Sequence, residues 1–281
     1  MPHIDLHIHS TLSDGTLSPG EIVTAAKKKG ITVLSITDHD TMAAYPDAIL
    51  LGEENLVEVL PGIEITAHHR ELSLHVLGFG LRYDSASLAA GLLSIQQARH
   101  QRNEQIIAKL NGFNLAVTME DLARGNGQAG RPHIARALMK MGIVRSEQEA
   151  FARFLRKDGA AYVKRQLLPV SRAIAMIAEA GGVAVLAHPG SLKLTEAELT
   201  TLVQGLIDHG LAGIEVYHPM NSEKMLLFLT KLCHNSGLIA TGGSDFHGRE
   251  GDKSPLGEAG GRRRVPLHLL PALKARLAAS R

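Results

Sequence analysis

The sequence predicts an α/β protein with a mainly parallel sheet, open or closed into a barrel, and a helical segment inserted into it. Short apolar runs alternate with amphipathic segments at both ends of the chain, this alternation stops in the middle, and histidines and acids follow the apolar runs. The 281 residues are 44% hydrophobic and 21% charged, as is typical of a globular protein. This length fits about two domains or one α/β barrel.

Capping signals mark the first β/α units. Residues 4–8 form a predicted strand, and the segment from Ser18 to Glu21 is a capping box with proline at the first helical position. That helix is expected to end near Lys29, because Gly30 follows three lysines in its last turn. The next predicted elements are a strand at 33–37, a helix at 43–51, and strands at 57–60 and 72–77.

The C-terminal part of the chain repeats this alternation. Its predicted elements are a helix at 171–180, a strand at 183–186, a helix opening at 195 and ending near 209, a strand at 213–217, a helix at 222–236, a strand at 238–241 and a closing helix at 267–279. The middle of the chain differs, because its apolar residues fall mainly at helical spacing. We therefore expect a discontinuous β/α domain at 1–86 and 170–281, and a helical insertion at 87–169.

Composition excludes several functional classes. The 30 Lys and Arg residues nearly balance the 28 Asp and Glu residues, which argues against a surface basic throughout but permits a local basic site. The single cysteine, Cys233, excludes a disulfide framework and a cysteine-based zinc site, and it is expected in the core. No apolar run reaches the ~18 residues of a membrane span and no signal peptide is recognised, so we expect a cytoplasmic protein with no obligate protein partner.

Potential metal ligands lie at the predicted strands and just after them. They are His7, His9, Asp14, His39, Glu64, His75, His188, Asp245 and His247. The carboxyl ends of parallel strands meet at one edge, and residues i and i+2 of a strand share a face, so these side chains are expected to converge. A single His-x-His pair is weak evidence, since such residues often make only structural hydrogen bonds, but the whole set is hard to explain in that way.

The types of ligand limit which metal ions and which substrates the site is expected to bind. Imidazoles and carboxylates without thiolates suit Zn²⁺, Mn²⁺ or Fe²⁺ rather than Ca²⁺. The set exceeds what one catalytic ion uses, so two or three divalent ions are expected. Such a site carries net positive charge and favours a phosphate substrate, with an ion-activated hydroxide attacking phosphorus in line.

Several segments together resemble the polymerase and histidinol phosphatase (PHP) domain family. They are DLHIHSTLSDGTLSP, ITDHDT, PGIEIT, LHVLG, LAHPG and GGSDFHG, and they span nearly the whole chain in the family's order. The resemblance implies a distorted (β/α)₇ TIM-like barrel and a trinuclear metal centre that hydrolyses phosphoesters, with Mn²⁺ expected first and Zn²⁺ or Fe²⁺ as alternatives. It also implies three ligand sets: His7, His9, Glu64 and Asp245; Glu64, His75 and His188; and Asp14, His39 and His247.

The insertion resembles one branch of that family. The segments GRPHIARAL, AYV and AGGVAVLAHPG are similar to the branch that acts on nucleoside 3',5'-bisphosphates, some members of which trim short 5'-phosphorylated oligonucleotides from the 5' end. The resemblance implies that the insertion covers the metal site and holds a second phosphate. The candidate phosphate-binding residues are Arg99, Arg102, Asn103, Arg131 and His133, since a guanidinium can bind phosphate through two parallel hydrogen bonds. A solvated helix face is the alternative interpretation of Arg99 and Arg102.

Two residues are candidates for a direct catalytic role. His218 follows the strand predicted at 213–217 and would protonate the leaving oxygen or contact a phosphate. Asp40 adjoins His39 and would orient an imidazole or approach the substrate. The sequence thus predicts a metal-dependent phosphohydrolase acting on a small nucleotide or a short oligonucleotide. The alternatives are a histidinol-phosphate phosphatase, a metal hydrolase of the amidohydrolase kind, and an inactive metal-binding accessory domain.

Overall fold

The computed structural model describes residues 2–122, 128–249 and 254–280. Its strands are β1 (His3–Ile8), β2 (Ile31–Ile36), β3 (Glu58–Val59), β4 (Gly62–His69), β5 (Leu72–Phe79), β6 (Leu168–Pro169), β7 (Val183–Leu186), β8 (Gly213–Tyr217), β9 (Ile239–Gly242) and β10 (Val265–Pro266). Its α-helices are α1 (Pro19–Lys29), α2 (Tyr45–Asn55), α3 (Ala86–Asn111), α4 (Arg131–Lys140), α5 (Glu147–Ala150), α6 (Val170–Glu179), α7 (Glu196–Ile207), α8 (Glu223–Ser236) and α9 (Leu270–Ala279). The structure is therefore a mixed α/β fold, as the sequence predicts.

Local signals in the sequence account for several helix ends. The hydroxyl of Ser18 accepts a hydrogen bond from the Glu21 N–H, and the Glu21 carboxylate accepts one from the Ser18 N–H at 2.8 Å. Gly30 ends α1 in the left-handed region, with φ of 75°, which a residue with a side chain rarely adopts. The predicted capping box at Thr195 forms in the same way at the start of α7.

The described strands form two sheets. One has the order β10-β1-β2-β3 and the other has the order β6-β4-β5-β7-β8-β9. The pairs β1–β2, β2–β3, β7–β8 and β8–β9 are parallel, as expected for β/α units. The parallel strands bring His7 and His9, at the end of β1, near His218 and Asp245, which follow β8 and β9.

The middle of the second sheet departs from the parallel expectation. Strand β4 pairs antiparallel with β5, and β5 pairs antiparallel with β7. Only Arg70 and Glu71 connect β4 to β5, and a parallel crossover needs a dozen or more residues, so the connection must be a hairpin. As a result, Glu64 and His75 lie inside antiparallel strands rather than after parallel ones, and the expectation of a strand-end position for Glu64 is wrong.

A closed TIM-like barrel is not confirmed, because the ladders of the two sheets are not continuous with each other. Isolated bridges join the sheets at two places, Ile8 with Phe246 and His39 with Glu64. Both bridges involve residues next to or within the predicted metal-ligand set. The candidate site therefore lies where the two sheets approach each other.

Helix α3 connects two hydrophobic clusters. Its first half contributes Leu88, Leu92 and Ile95 to the core that packs against the second sheet. Its second half contributes Ile106 and Leu110 to a separate cluster with residues of α4 and of the segment 150–161. In the ranges that the structure describes, we find no helix with both the length and the apolar character needed to cross a membrane.

Candidate metal centre

The predicted metal ligands converge in the structure. Four overlapping groups have ligand atoms that all lie within 4.8 Å of one another: His9, Asp14, His39 and His247; His7, His218 and Asp245; His7, His9 and Glu64; and His39, Glu64 and His75. His188 joins the same cluster, because its Nε2 lies 2.9 Å from Glu64 Oε1. The structure therefore brings all of the sequence-predicted ligands together, and it adds His218 to their immediate neighbourhood.

The carboxylate of Glu64 lies at the centre of the cluster. This side chain is 1% exposed, and each of its oxygens faces a different set of imidazoles. Oε1 lies near His75 Nδ1 (2.7 Å) and His188 Nε2 (2.9 Å), whereas Oε2 lies near His39 Nδ1 (3.0 Å), His9 Nε2 (3.2 Å) and His7 Nε2 (3.4 Å). This arrangement suits a carboxylate that bridges two ions.

Hydrogen bonds on the far side of two imidazoles leave a lone pair facing the cluster. His7 Nδ1 lies 2.9 Å from the carboxylate of Glu215, and His247 Nδ1 lies 2.8 Å from the backbone carbonyl of Asp245. A carbonyl or an ionised carboxylate only accepts, so each Nδ1 carries a proton, and in the neutral ring, which is the form that binds a metal ion, each Nε2 holds a lone pair. His7 Nε2 then lies 3.2 Å from His9 Nε2, so two ring nitrogens face one another closely. A cation placed between them relieves this contact.

Unpartnered polar atoms give a second test of metal binding. Asp14 Oδ1 and His39 Nδ1 are buried and make no hydrogen bond of normal geometry within the described residues, although Asp14 Oδ1 lies 3.3 Å from His247 Nε2 and His39 Nδ1 lies 3.0 Å from Glu64 Oε2. Burial opposes ionisation of Asp14, but the neighbouring His247 outweighs it and holds the pKa of Asp14 well below its usual range. The carboxylate is therefore charged and turned towards imidazole nitrogens. The residues present fit a group of divalent ions held by N and O donors.

His218 lies at the metal-ligand cluster, where it forms one of the possible ligand groups with His7 and Asp245. Its Nδ1 accepts a hydrogen bond from the Met220 N–H at 3.1 Å, so the neutral ring carries its proton on Nε2. That Nε2 lies 3.3 Å from Asp245 Oδ2 and points into the cluster. The ring is 1% exposed, so its orientation is fixed by packing and by these two contacts.

Two buried carboxylates hold the ligands in place from behind. Glu215 contacts His7 Nδ1 and also accepts the His188 N–H at 2.7 Å, although sequence reasoning assigned it no role. The sequence feature that could have indicated a role for Glu215 is that it is the single acidic residue of the otherwise apolar strand β8. Asp38 accepts from the Ser10 N–H at 2.7 Å and from the Ser13 hydroxyl at 2.5 Å, and thereby fixes the loop that carries Asp14.

Arginines adjoin the metal-ligand cluster in one small cavity. This cavity of about 140 Å³ is lined by three members of the metal-ligand set, Asp14, His39 and His75, and by four arginines, Arg99, Arg102, Arg131 and Arg165. Arg102 Nε donates to the Val163 carbonyl at 2.9 Å, and Arg131 Nη1 donates to the Leu155 carbonyl at 3.2 Å. The structure therefore places the three predicted arginines at the site and adds Arg165, which the sequence reasoning missed.

The other two predicted phosphate contacts have different surroundings. Asn103 is 2% exposed and donates to the Ala129 carbonyl at 3.1 Å, and His133 accepts the Gly130 N–H on Nδ1 at 3.1 Å. Neither residue is among those that line the arginine cavity. Burial lowers the pKa of His133 to about 4, so it is neutral. Both side chains instead hold the backbone that leads into Arg131, which lies in the first turn of α4.

Asp40 faces the arginines. Its fully buried carboxylate contacts Arg99 and accepts a hydrogen bond from Arg165 Nη2 at 2.8 Å. Its backbone carbonyl accepts from Gln96 Nε2 at 2.9 Å, and its Oδ1 accepts the Thr66 N–H at 3.2 Å. These contacts position Asp40 as the link between α3 and the strands that bear the metal ligands.

Comparisons with known proteins agree with this geometry. The PHP domain family model matches residues 5–163, more than half of the chain. A protein named 3',5'-nucleoside bisphosphate phosphatase from Chromobacterium violaceum is 31% identical over 250 residues, covering 88% of each chain. A 5'-3' exoribonuclease from Haemophilus influenzae is 32% identical over 244 residues, which are 86% of this chain and 89% of the relative.

A solved structure shows the same fold. A protein from Bifidobacterium adolescentis, described as a metal-dependent phosphoesterase, superimposes with a TM-score of 0.85 at 30% identity, over 97% of this chain and 95% of that one. The convergent His, Asp and Glu side chains lie within this shared fold. Fold, ligand cluster and sequence similarity together establish that this chain belongs to the PHP domain family and is a metal-dependent phosphoesterase.

Proposed function

We propose that this protein removes the 3'-phosphate from nucleoside 3',5'-bisphosphates, such as adenosine 3',5'-bisphosphate, and leaves the 5'-nucleotide. One observation carries the proposal: a single cavity is lined by members of the metal-ligand cluster and by four arginines. A substrate with two phosphates can place one at the metal ligands and the other at the arginines. The name of the Chromobacterium violaceum relative supports the same substrate class.

The proposed metal ligands are those that the resemblance implies. One ion would be held by His7, His9, Glu64 and Asp245, a second by Glu64, His75 and His188, and a third by Asp14, His39 and His247. We propose Mn²⁺, with Zn²⁺ and Fe²⁺ as alternatives that suit the same donors. When bound, such ions polarise the phosphate and lower the pKa of water, which supplies the nucleophile for hydrolysis.

The chain's own residues bind and orient the substrate. Arg99, Arg102, Arg131 and Arg165 line the cavity, and the only carboxylate that contacts these guanidinium groups in the described residues is Asp40. Arg102 and Arg131 donate to backbone carbonyls, which orient their guanidinium groups without neutralising the charge. This excess of positive charge fits the 5'-phosphate. A guanidinium can grip that phosphate through two parallel hydrogen bonds.

His218 is the proposed proton donor. Its Nε2–H points into the cluster beside Asp245, and the Met220 N–H fixes the tautomer. We propose that this proton passes to the 3'-oxygen when its bond to phosphorus breaks. Asp40 is then a positioning residue, because its carboxylate is occupied by two arginines.

The fold supports this arrangement in two ways. We propose that β1, β2, β4, β5, β7, β8 and β9 form a distorted seven-stranded barrel, with the bridges Ile8–Phe246 and His39–Glu64 at the junctions of the two sheets. We also propose that residues 87–169 form a cap over the site. The separate hydrophobic cluster of this segment and the position of its arginines support that role.

A substrate panel tests the proposal. Protein freed of metal and reloaded with Mn²⁺ would be given adenosine 3',5'-bisphosphate, histidinol phosphate, and an amide or lactone, and released phosphate and product would be measured. We expect fast release of phosphate from the bisphosphate and none from metal-free protein. Preferential cleavage of histidinol phosphate would overturn the substrate assignment, and turnover of the amide or lactone without phosphate release would overturn the phosphatase assignment itself.

A further inference from the structure

Thr66 is a buried residue of β4 to which neither the sequence nor the mechanism above assigns a role. It lies two residues beyond Glu64, so the two side chains are on the same face of the strand. Its cross-strand partner in β5 is His75, another of the proposed metal ligands. The Thr66 side chain is therefore on the face of the sheet that carries the metal-ligand cluster.

The hydroxyl oxygen of Thr66 makes no hydrogen bond within the described residues, although the residue is only 3% exposed. Buried polar atoms in folded proteins are nearly always hydrogen-bonded, because leaving one without a partner costs free energy. A hydroxyl can donate one hydrogen bond and accept others, so a bound molecule with an acceptor oxygen would satisfy it. The hydroxyl of Thr66 thus has the features of a ligand contact.

Thr66 lines the cavity of about 140 Å³ that contains the four arginines. It also lines a second cavity, of about 740 Å³, which is bordered by the β4–β5 hairpin and by residues 162–167. The residues common to the two cavities are Thr66, His75, Arg102, Arg131 and Arg165. Thr66 therefore belongs to the wall that also carries three of the arginines, where one substrate phosphate is expected.

The backbone of Thr66 is linked to the same arginines. Its N–H donates to Asp40 Oδ1 at 3.2 Å, and the other oxygen of that carboxylate contacts Arg99 and Arg165. Asp40 thus fixes the main chain of Thr66 and two guanidinium groups relative to one another. A hydroxyl held beside guanidinium groups in this way can donate one further hydrogen bond to the anion that they bind.

We propose that Thr66 is a specificity-determining residue whose hydroxyl donates a hydrogen bond to the 5'-phosphate of the substrate. This inference rests on the proposed function, because it assumes that the 5'-phosphate lies at the arginines and the 3'-phosphate at the metal ligands. The hydroxyl is satisfied only when substrate is bound. It therefore contributes to the binding of the substrate and not to the stability of the free protein.

The variant Thr66→Val separates these two contributions, because valine has nearly the shape of threonine but lacks the hydroxyl. We expect its Tm to equal or exceed that of the wild type, since an unsatisfied buried polar atom is removed and valine suits a strand. We expect kcat/KM for adenosine 3',5'-bisphosphate to fall about tenfold, mainly through KM, as for the loss of one hydrogen bond to a charged group. The rate on adenosine 3'-monophosphate should change little.

Two further variants serve as controls. Thr66→Ser keeps the hydroxyl and should retain the wild-type preference for the bisphosphate. Thr241→Val removes a second hydroxyl that is buried and makes no hydrogen bond within the described residues, but Thr241 is not among the residues that line either of the two cavities. This variant should therefore show no loss on either substrate. All proteins would be loaded with Mn²⁺ and compared by steady-state kinetics and by thermal melts.

Three results would overturn the inference while leaving the phosphatase assignment in place. One is an unchanged kcat/KM for the bisphosphate in Thr66→Val. Another is an equal loss on both substrates, which would mean that the hydroxyl acts at the reacting phosphate or through the metal ligands. The third is a lowered Tm together with a similar kinetic loss in Thr66→Ser, which would mean that Thr66 has a packing role. Failure of the wild-type protein on the bisphosphate is a separate outcome that would overturn the proposed function, and this inference with it.

Discussion

Asp40 Oδ2 accepts a hydrogen bond of 2.8 Å from Arg165 Nη2, although the two residues are 125 positions apart in the chain. Arg99 of α3 contacts the same oxygen. Burial opposes the charge on Asp40, but the two arginines outweigh it and hold the pKa of this carboxyl below its usual value. One buried carboxylate therefore ties α3 and the segment just before β6 to the loop that carries His39.

Replacing Asp40 with asparagine tests this link. Asp40 has a φ of 57°, a conformation that asparagine tolerates, so Asp40→Asn removes the charge with little backbone strain. We expect KM for the bisphosphate to rise about tenfold while kcat changes little, because the guanidinium groups lose their alignment but the metal ligands remain; losing one charged hydrogen bond corresponds to about 1.5–3 kcal/mol. Steady-state kinetics measure KM and kcat, and a thermal melt shows whether the variant is folded. Asp158→Asn, an exposed change in the same segment, is the control.

A different division of the effect between kcat and KM would contradict the positioning role of Asp40. A large loss of kcat with unchanged KM would mean that this carboxylate takes part in the chemical step. Unchanged kinetics in a stably folded variant would mean that the arginines keep their places without it.

Replacing Glu215 tests whether its hydrogen bonds to His7 and His188 contribute to metal binding. Glutamine at this position could still accept the proton of His7, but its amide N–H₂ would oppose the His188 N–H that now donates to Oε2. Loss of such an outer partner weakens metal binding by about 10–100-fold in other sites, and we expect Glu215→Gln to do the same. Titration of Mn²⁺ against a competing chelator measures the affinity, with exposed Glu54→Gln as the control. Equal affinities in the variant and the wild type would show that Glu215 does not tune the ligands.

The buried position of Cys233 leads to a prediction about the reactivity of its thiol. Cys233 is buried in α8, and burial raises the pKa of its thiol to about 12. The reactive thiolate is thus nearly absent at pH 8, and the side chain is also shielded from reagents. We expect no reaction of the native protein with a thiol-specific dye at pH 8, and one thiol per chain after unfolding. Rapid labelling of the native protein would contradict both the burial and the raised pKa.

Much of the fold follows from local signals in the sequence. The capping boxes at Ser18 and Thr195 and the glycine after Lys29 fix helix ends through contacts within a few residues, so their positions could be predicted. The convergence of the ligands could also be predicted, because His7 and His9 sit on a parallel strand whose end must meet its neighbours.

The remaining features depend on contacts between distant residues. The antiparallel position of β5, which carries His75, beside β7 could not be predicted, because β7 lies about a hundred residues further along the chain. Arg165 lies at the end of the insertion, and nothing near it in the sequence indicates that its partner is Asp40. Asn103 and His133 were expected to bind phosphate because they neighbour arginines, whereas their actual contacts are backbone groups that only the folded chain brings near.

The central claim is that the arginine cavity binds the second phosphate of the substrate. The most direct measurement is kcat/KM for adenosine 3',5'-bisphosphate and for adenosine 3'-monophosphate, with wild type, Arg131→Ala and the exposed control Arg172→Ala. We expect the wild type to prefer the bisphosphate, and Arg131→Ala to lose about 10–100-fold on it but little on the monophosphate, as expected for one charged hydrogen bond. Equal losses on both substrates, or no preference in the wild type, would contradict the claim.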